Sequence, residues 1–505
     1  MLAGLFDRGA RSIVRNPHGL PGCVWVSFAS ALEPVRHRTH SWSEIDVASY
    51  RWRVAKPRND LYDAFWKRIA DAGRRVLAID VPYGRAAGHP ACVELFEWGA
   101  HDRHFGLHAS PPHHADEVEA RFGLHPVFGV NARREWHYTP DDFLHRKGKY
   151  RTLREEGKLL ASLVAGAGRK GDMMLSLLGE EEWDLFVGVF CESHSAGHQF
   201  WHLHDPSHVR FEAERRERLG DPLLKTYRAI DAEIGRLAEA AGGNADLFVY
   251  LSNGMGAHHD GTFLLDEVLE RIEGHDSGEG VGAIRGAVKP WIPRIRDLAI
   301  RARIPIPIRL PLARWLRGDQ AANRAQRRFY VEPNNTVFSG IRLNLVGREP
   351  LGKIRPDEVD AVCAALTEDL MALVNVDSGG PAVRGVHRCD DHHRREPDDC
   401  LPDLFVEWER SVPIEAVGSP KIGIVRIPYA RIRTGDHRPD GLLLAVGPDF
   451  EPAAEMPSIA VEDIGPSLAA RFGVTLDDVD GDMVPWLAGS SRLSGPVPLR
   501  AEARR

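Results

Sequence analysis

The stretch DLFVGVFCESHSAGHQFWHLH (184–204) changes its pattern halfway. Its first part, DLFVGVF (184–190), is a short apolar run. Its second part repeats histidine every four residues, at His194, His198 and His202, with Glu192 and His204 close by. A short apolar run bounded by polar residues reads as a buried strand, and the spacing after it reads as a helix. Residues at i and i+4 share one helix face, so His194 and His198 would be neighbours there. Two readings stay open on the residues alone. The pair ligates a metal, or the helix start carries core or surface histidines.

Working outward, similar apolar runs recur as VLAIDV (76–81), DLFVYLS (246–252), IRLNL (341–345), LFVEW (404–408) and LLLAV (442–446). Helical patterns such as 221–241 and 357–374 lie between several of them. Continuous apolar strands alternating with amphipathic helices predict an α/β fold. Its central sheet would be mostly parallel and sandwiched between helical layers. The runs at 76–81, 184–190, 246–252 and 404–408 are expected in that one sheet. Ligands of such sheets bind beyond the carboxyl ends of the strands, where Asp80, Glu192 and Asn253 fall.

The chain of 505 residues suits one large domain with insertions, or two domains. Its apolar content of 43% and charged content of 27% exclude wholesale disorder. A net charge of −7 argues against a general nucleic-acid binder. No apolar run approaches the length of a membrane span. The opening MLAGLFDRGARSIV places charges where a signal peptide has its apolar core. Six scattered cysteines with no CxxC pair point to free thiols and a cytoplasmic location. The loop HRCDDHHRREPDDC (387–400) matches no common zinc spacing and reads as a solvated, charge-rich loop.

Residues 282–328 stand apart, with twelve Lys or Arg against two Asp. They read as a basic helical insertion, and a cationic lid for an anionic substrate is the sharper alternative. The expected organisation is a core in two parts, 1–281 and 329–490. The insertion lies between them, and a frayed tail spans 491–505.

Several stretches resemble one family when taken in order. RTGDHRPDGLLLAVGPDF (433–450) and VEDIGPSLAARFGV (461–474) are similar to the C-terminal part of the alkaline phosphatase superfamily. The closer likeness is to its type I phosphodiesterase/nucleotide pyrophosphatase branch. NPHGLPGCVWVSFASALEPVRH (16–37) resembles the segment around that family's nucleophile. NGMGAHHDGTFLLDEVL (253–269) resembles the segment after its Asp-His pair. NNTVFSGIRLNLVGREPLGKI (334–354) and LPDLFVEW (401–408) fit the same order.

The resemblance implies a mostly parallel sheet between helical layers and a site with two divalent metal ions, commonly zinc. The family's late histidine corresponds to His437 and the histidine of its Asp-x-x-x-His pair to His198, with His194 in place of the aspartate. That implies a three-histidine site, which suits zinc with an open fourth position. Glu192 is expected as a further ligand, or as a carboxylate orienting a ligand histidine. The second metal site looks reduced, because the Asp-His pair falls on Ser252 and Asn253. The nucleophile position falls on Pro21, with Cys23 and Ser27 nearby. The family's first strand and its metal-binding Asp have no counterpart. A shortened N-terminus is therefore expected, with an unpaired strand flank.

Further candidates follow from residue chemistry. Asn253 could donate to a developing oxyanion or cap a turn. His258 could serve acid–base or metal chemistry, or sit in a glycine-flanked loop. Cys23 is a candidate nucleophile or a small buried hydrophobe. Arg342 and Arg348 could clamp a phosphate or form salt bridges. His202 and His204 read as structural. The function expected is a metal-dependent hydrolase of phosphate esters or diesters, acting on a small anionic phosphate-containing substrate. Water activated at the metal would replace the covalent step. The alternatives are a non-catalytic relative that binds an anion or a protein, and a sulfatase or phosphomutase relative.

Overall fold

A computed structural model describes residues 2–489 except 56–57, 59, 101–102, 129–150, 275–319, 335–336, 397–398, 428 and 430–431. The strand Val76–Ile79 is buried at every position because both faces of its sheet are covered. Val76 and Ala78 join a core with Phe65, Trp66 and Ile69 of the helix Phe65–Asp71. Leu77 and Ile79 point the other way, toward Val118 of the helix His113–Phe122 and Met173, Met174 and Leu177 of the helix Leu153–Leu178. The four strands of this sheet run in the order His108–Ser110, Cys92–Phe96, Val76–Ile79, Leu185–Gly188. Val76–Ile79 pairs in parallel with both of its neighbours.

A second four-stranded sheet has the order Ile459–Ala460, Ala10–Arg15, Gly441–Val446, Leu247–Leu251. Gly441–Val446 pairs antiparallel on both sides, and Ala10–Arg15 pairs in parallel with Ile459–Ala460. A third, wholly antiparallel sheet joins Phe329–Glu332, Phe338–Leu343, Leu404–Trp408 and Val383–Arg388. It packs on its own core, which includes Leu265, Val268, Ile341, Leu366, Leu370, Val406 and Trp408.

The fold is therefore mixed α/β with several sheets. The expectation of one mostly parallel sheet is corrected for two of its four runs. The runs at 76–81 and 184–190 share a sheet in parallel, whereas 246–252 and 404–408 lie in two other sheets with antiparallel partners. A continuous apolar run reports that a strand is covered. It carries no information about which neighbour takes its hydrogen bonds, or in which direction. Among the described residues, Leu185–Gly188 and Leu247–Leu251 each pair on one side only. The basic segment lies outside the described residues over 282–319, and its end enters the helix Gln320–Gln326.

The helix Leu153–Leu178 starts on a capping box of Thr152 and Glu155. It packs along the helix Pro222–Ala241, where Gly171 lets Glu233 approach closely. No described helix is long and apolar enough to cross a membrane. All six cysteines are free thiols.

Candidate metal centre

The strand Leu185–Gly188 delivers the chain into the helix Glu192–His204. One turn of that helix sets His194 edge-on against His198, with ring centroids 4.5 Å apart. A third histidine arrives on a two-stranded ribbon in which Gly435–Arg438 pairs antiparallel with Gly254–Ala257, placing His437 opposite Met255. The ribbon is clamped to the helix by the Thr434 amide, which donates to the His198 carbonyl at 2.8 Å. Gly435 permits this approach, because a Cβ there would collide with the Gly197 carbonyl. Sequence thus brings together side chains that are 239 residues apart along the chain, counted from 198 to 437.

The three imidazoles meet through their Nε2 atoms. His194 Nε2 stands 2.8 Å from His437 Nε2 and 2.9 Å from His198 Nε2. His198 Nδ1 lies 2.7 Å from the Gly435 carbonyl, which can only accept. His198 Nδ1 therefore carries the proton and its Nε2 presents a lone pair to the cluster. A single proton on His194 Nε2 can serve one of its two close nitrogen neighbours, not both. Burial, then the charges of Arg433, His194 and His437, push His198 well below the ordinary histidine range, so it stays neutral. Three imidazoles converging through one nitrogen each, with the second nitrogen of His198 tied to a carbonyl, form a donor set that fits zinc.

The same ribbon builds a second centre of different chemistry. Strand alternation sends His437 toward the helix and Asp436 to the opposite face. There Asp436 Oδ2 accepts from His258 Nδ1 at 3.0 Å, and Asp260 Oδ2 lies 2.9 Å from the same nitrogen. Asp436 also accepts the His437 amide at 2.8 Å, and Asp260 accepts the Thr262 amide at 2.8 Å. Burial alone would lower the His258 pKa, but the two carboxylates overcome it and raise it to about 9. Burial would raise Asp436, yet its hydrogen bond to His258 and the charge of His258 hold it far below the carboxylate range. The triad is an imidazolium between two carboxylates, and it pins the ribbon beside His437.

Glu192 does not join the histidines. Its Oε1 lies 2.9 Å from His125 Nε2 and 3.7 Å from Lys170 Nζ, all fully buried. Lys170 in turn stands 2.9 Å from Asp80, whose two oxygens accept the Trp98 and Gly99 amides. Burial would lower the Lys170 pKa, but Asp80 and Glu192 raise it, so the amine is charged. Asp80 and Glu192 thus converge beyond their strands as expected, on a lysine. The Asn253 side-chain amide lies 3.5 Å from the Arg438 carbonyl.

Cys23 is fully buried with Sγ 3.0 Å from the Leu20 carbonyl, and burial pushes its thiol far up. Ser27 is buried 3.0 Å from His37 Nε2. His37 Nδ1 accepts the Thr39 amide, so Nε2 holds the proton and cannot act as a base toward Ser27. Arg342 is engaged by Glu349 at 2.8 Å and by the carbonyls of Leu401 and Asp399. Arg348 is engaged by Asp403 at 2.7 Å and by Glu349. Both arginines bind the third sheet together. His202 contacts Thr434 Oγ1 at 3.1 Å, and His204 contacts Asp221 at 2.9 Å. Sequence reading missed Asp436, Asp260, Lys170 and His125. Asp436 was visible as the acid beside His437, while the other three are identified only by who surrounds them.

No protein-family profile and no curated protein matches this chain. Solved structures similar to it include murine ectonucleotide pyrophosphatase/phosphodiesterase 5, at 10% identity and a TM-score of 0.46 over 95% of this chain and 91% of that one. An inactive T72A form of the same murine protein, in complex with AMP, gives 10% identity and 0.47 over the same shares. The human protein gives 11% identity and 0.42, again over 95% and 91%.

Proposed function

We propose that this chain is a metal-dependent hydrolase of phosphate esters or diesters, with His194, His198 and His437 holding a zinc ion. The observation that carries the reading is the convergence of three Nε2 atoms at 2.8–2.9 Å from a helix and a ribbon. The ordered segments that resemble the phosphodiesterase/nucleotide pyrophosphatase branch support the substrate class. Bound zinc would supply Lewis acidity toward a phosphoryl oxygen and would ease deprotonation of a water.

The chain's own residues orient and attract. The Gly435 carbonyl fixes the His198 ring, and the Thr434 amide fixes the ribbon on the helix. Arg410 donates to the His437 carbonyl at 2.9 Å, and Arg433 acts electrostatically on both His198 and Asp436. These cations favour a small anionic substrate at this face. In this reading water, not Cys23 or Ser27, is the attacking group, which the burial of both residues supports.

The test is hydrolysis of bis(p-nitrophenyl) phosphate and p-nitrophenyl phosphate by chelator-stripped protein, before and after adding zinc. Activity should return with zinc in the wild type and stay absent in His437→Ala. A second reading, a non-catalytic anion-binding relative, is favoured by the buried state of Cys23 and Ser27. Zinc binding with no turnover of either ester would select it.

A further inference from the structure

A second all-histidine cluster lies in the third sheet, sharing no residue with the first. His18 comes from the loop after the strand Ala10–Arg15. His387 comes from the strand Val383–Arg388, and His392 from the turn that follows it. Each offers a ring nitrogen, and these atoms all lie within 4.8 Å of one another. His18 stacks on His392 with centroids 3.8 Å apart and meets His387 edge-on at 4.9 Å.

The surroundings are built to hold this arrangement. His387 Nε2 lies 3.1 Å from Glu407 Oε2, the carboxylate–histidine pairing that orients ligand imidazoles. His393 Nε2 lies 2.7 Å from the His18 carbonyl and so donates to it, fixing the loop. Gly19 has φ +73° and a Cβ there would strike the Phe405 ring, so the loop lies flat on the sheet. His18 Nε2 is buried and no protein group hydrogen-bonds it. His392 is exposed, leaving one side open to a water or a further ligand.

From this geometry we infer that His18, His387 and His392 form a separate binding site for a divalent transition metal of the zinc class. The ion would tie the N-terminal loop to the strand Val383–Arg388. Three imidazoles, with one ring backed by a carboxylate, favour a borderline metal over calcium or magnesium, which take oxygen ligands. The site does not depend on the hydrolase reading, and the experiment separates the two.

The full chain is stripped with chelator, titrated with zinc chloride by calorimetry, and assayed for metal after desalting. His392→Ala is the main variant, because an exposed side chain can be truncated without opening the core. It should bind one equivalent of zinc fewer than the wild type, and His198→Ala should independently lose a different equivalent. In the His198→Ala background, zinc should still raise the melting temperature, and adding His392→Ala should abolish that rise. An unchanged stoichiometry in His392→Ala, or a zinc-induced rise that survives the double substitution, would overturn the site. Loss of metal in His392→Ala but not in His198→Ala would support this site and count against the first one.

Discussion

His437 and Asp436 are adjacent on one short ribbon and belong to opposite kinds of centre. His437 belongs to a cluster with two other histidines, so every partner is a ring nitrogen of the same type. Asp436 meets a histidine that is also flanked by Asp260, so one positive ring faces two negative carboxylates. The first sets imidazoles against one another, whereas the second sets one imidazole between two carboxylates. The presence of histidines therefore does not mark a metal site; the chemistry of the groups they face does.

The largest expected effect separates the two centres directly. His198→Ala or His437→Ala should abolish zinc retention and any zinc-dependent phosphoester hydrolysis. The loss should exceed the roughly 10–100-fold seen when only an orienting partner of a ligand is removed. Retention of tight zinc by His437→Ala, measured by metal analysis after desalting, would remove the distinction.

Asp436→Ala tests the other side. It strips one carboxylate from a buried, charged histidine and leaves His258 with Asp260 alone. Breaking a buried ion group costs about 3–5 kcal/mol, which urea unfolding of metal-free protein can measure. A change below about 1 kcal/mol would mean that the triad is not a charged unit.

Glu332 sharpens the comparison, because it is a carboxylate that is almost wholly buried. Burial raises its pKa to about 8 despite Arg342. Its amide contact, from Ile45 at 2.9 Å, is retained in either protonation state. The folded pKa lies above the ordinary 4.5, so the folded state holds the proton more tightly. The resulting stability is complete below about 4.5 and is lost as pH rises through about 8. Glu332→Gln should therefore raise the melting temperature above pH 8 and have little effect near pH 4. A pH-independent difference would contradict the assignment.

The smallest effect concerns a histidine on the same helix. His202 lies one turn beyond His198 but bonds Thr434 and sits 3.4 Å from Glu156. His202→Ala should leave zinc affinity within about threefold of the wild type in a calorimetric titration. A loss as large as that of His198→Ala would extend the cluster along the helix.

Part of this was legible in the sequence. The i, i+4 spacing placed His194 and His198 on one face, and the TGDH segment supplied His437. At 100° per residue Glu192 lies about 200° around the helix from His194. It therefore faces Lys170 and His125 instead. Arg342 was read as a phosphate clamp or a salt-bridging cation, and it sits on a strand buried at every position, where only a fully paired guanidinium is tolerated. The strands themselves were visible as apolar runs. Their distribution over three sheets was not, since antiparallel or parallel pairing is decided by distant neighbours. The loop at 387–400 showed its histidines, but only the fold brings His18 beside them.

The central claim is that His194, His198 and His437 share one metal ion. Crystals of the full chain equilibrated with zinc, measured with X-rays above and below the zinc absorption edge, test it most directly. The account predicts an anomalous peak bounded by the three Nε2 atoms, at about 2.0–2.1 Å from each. A zinc-saturated crystal with ordered density for all three rings and no anomalous peak between them would contradict it.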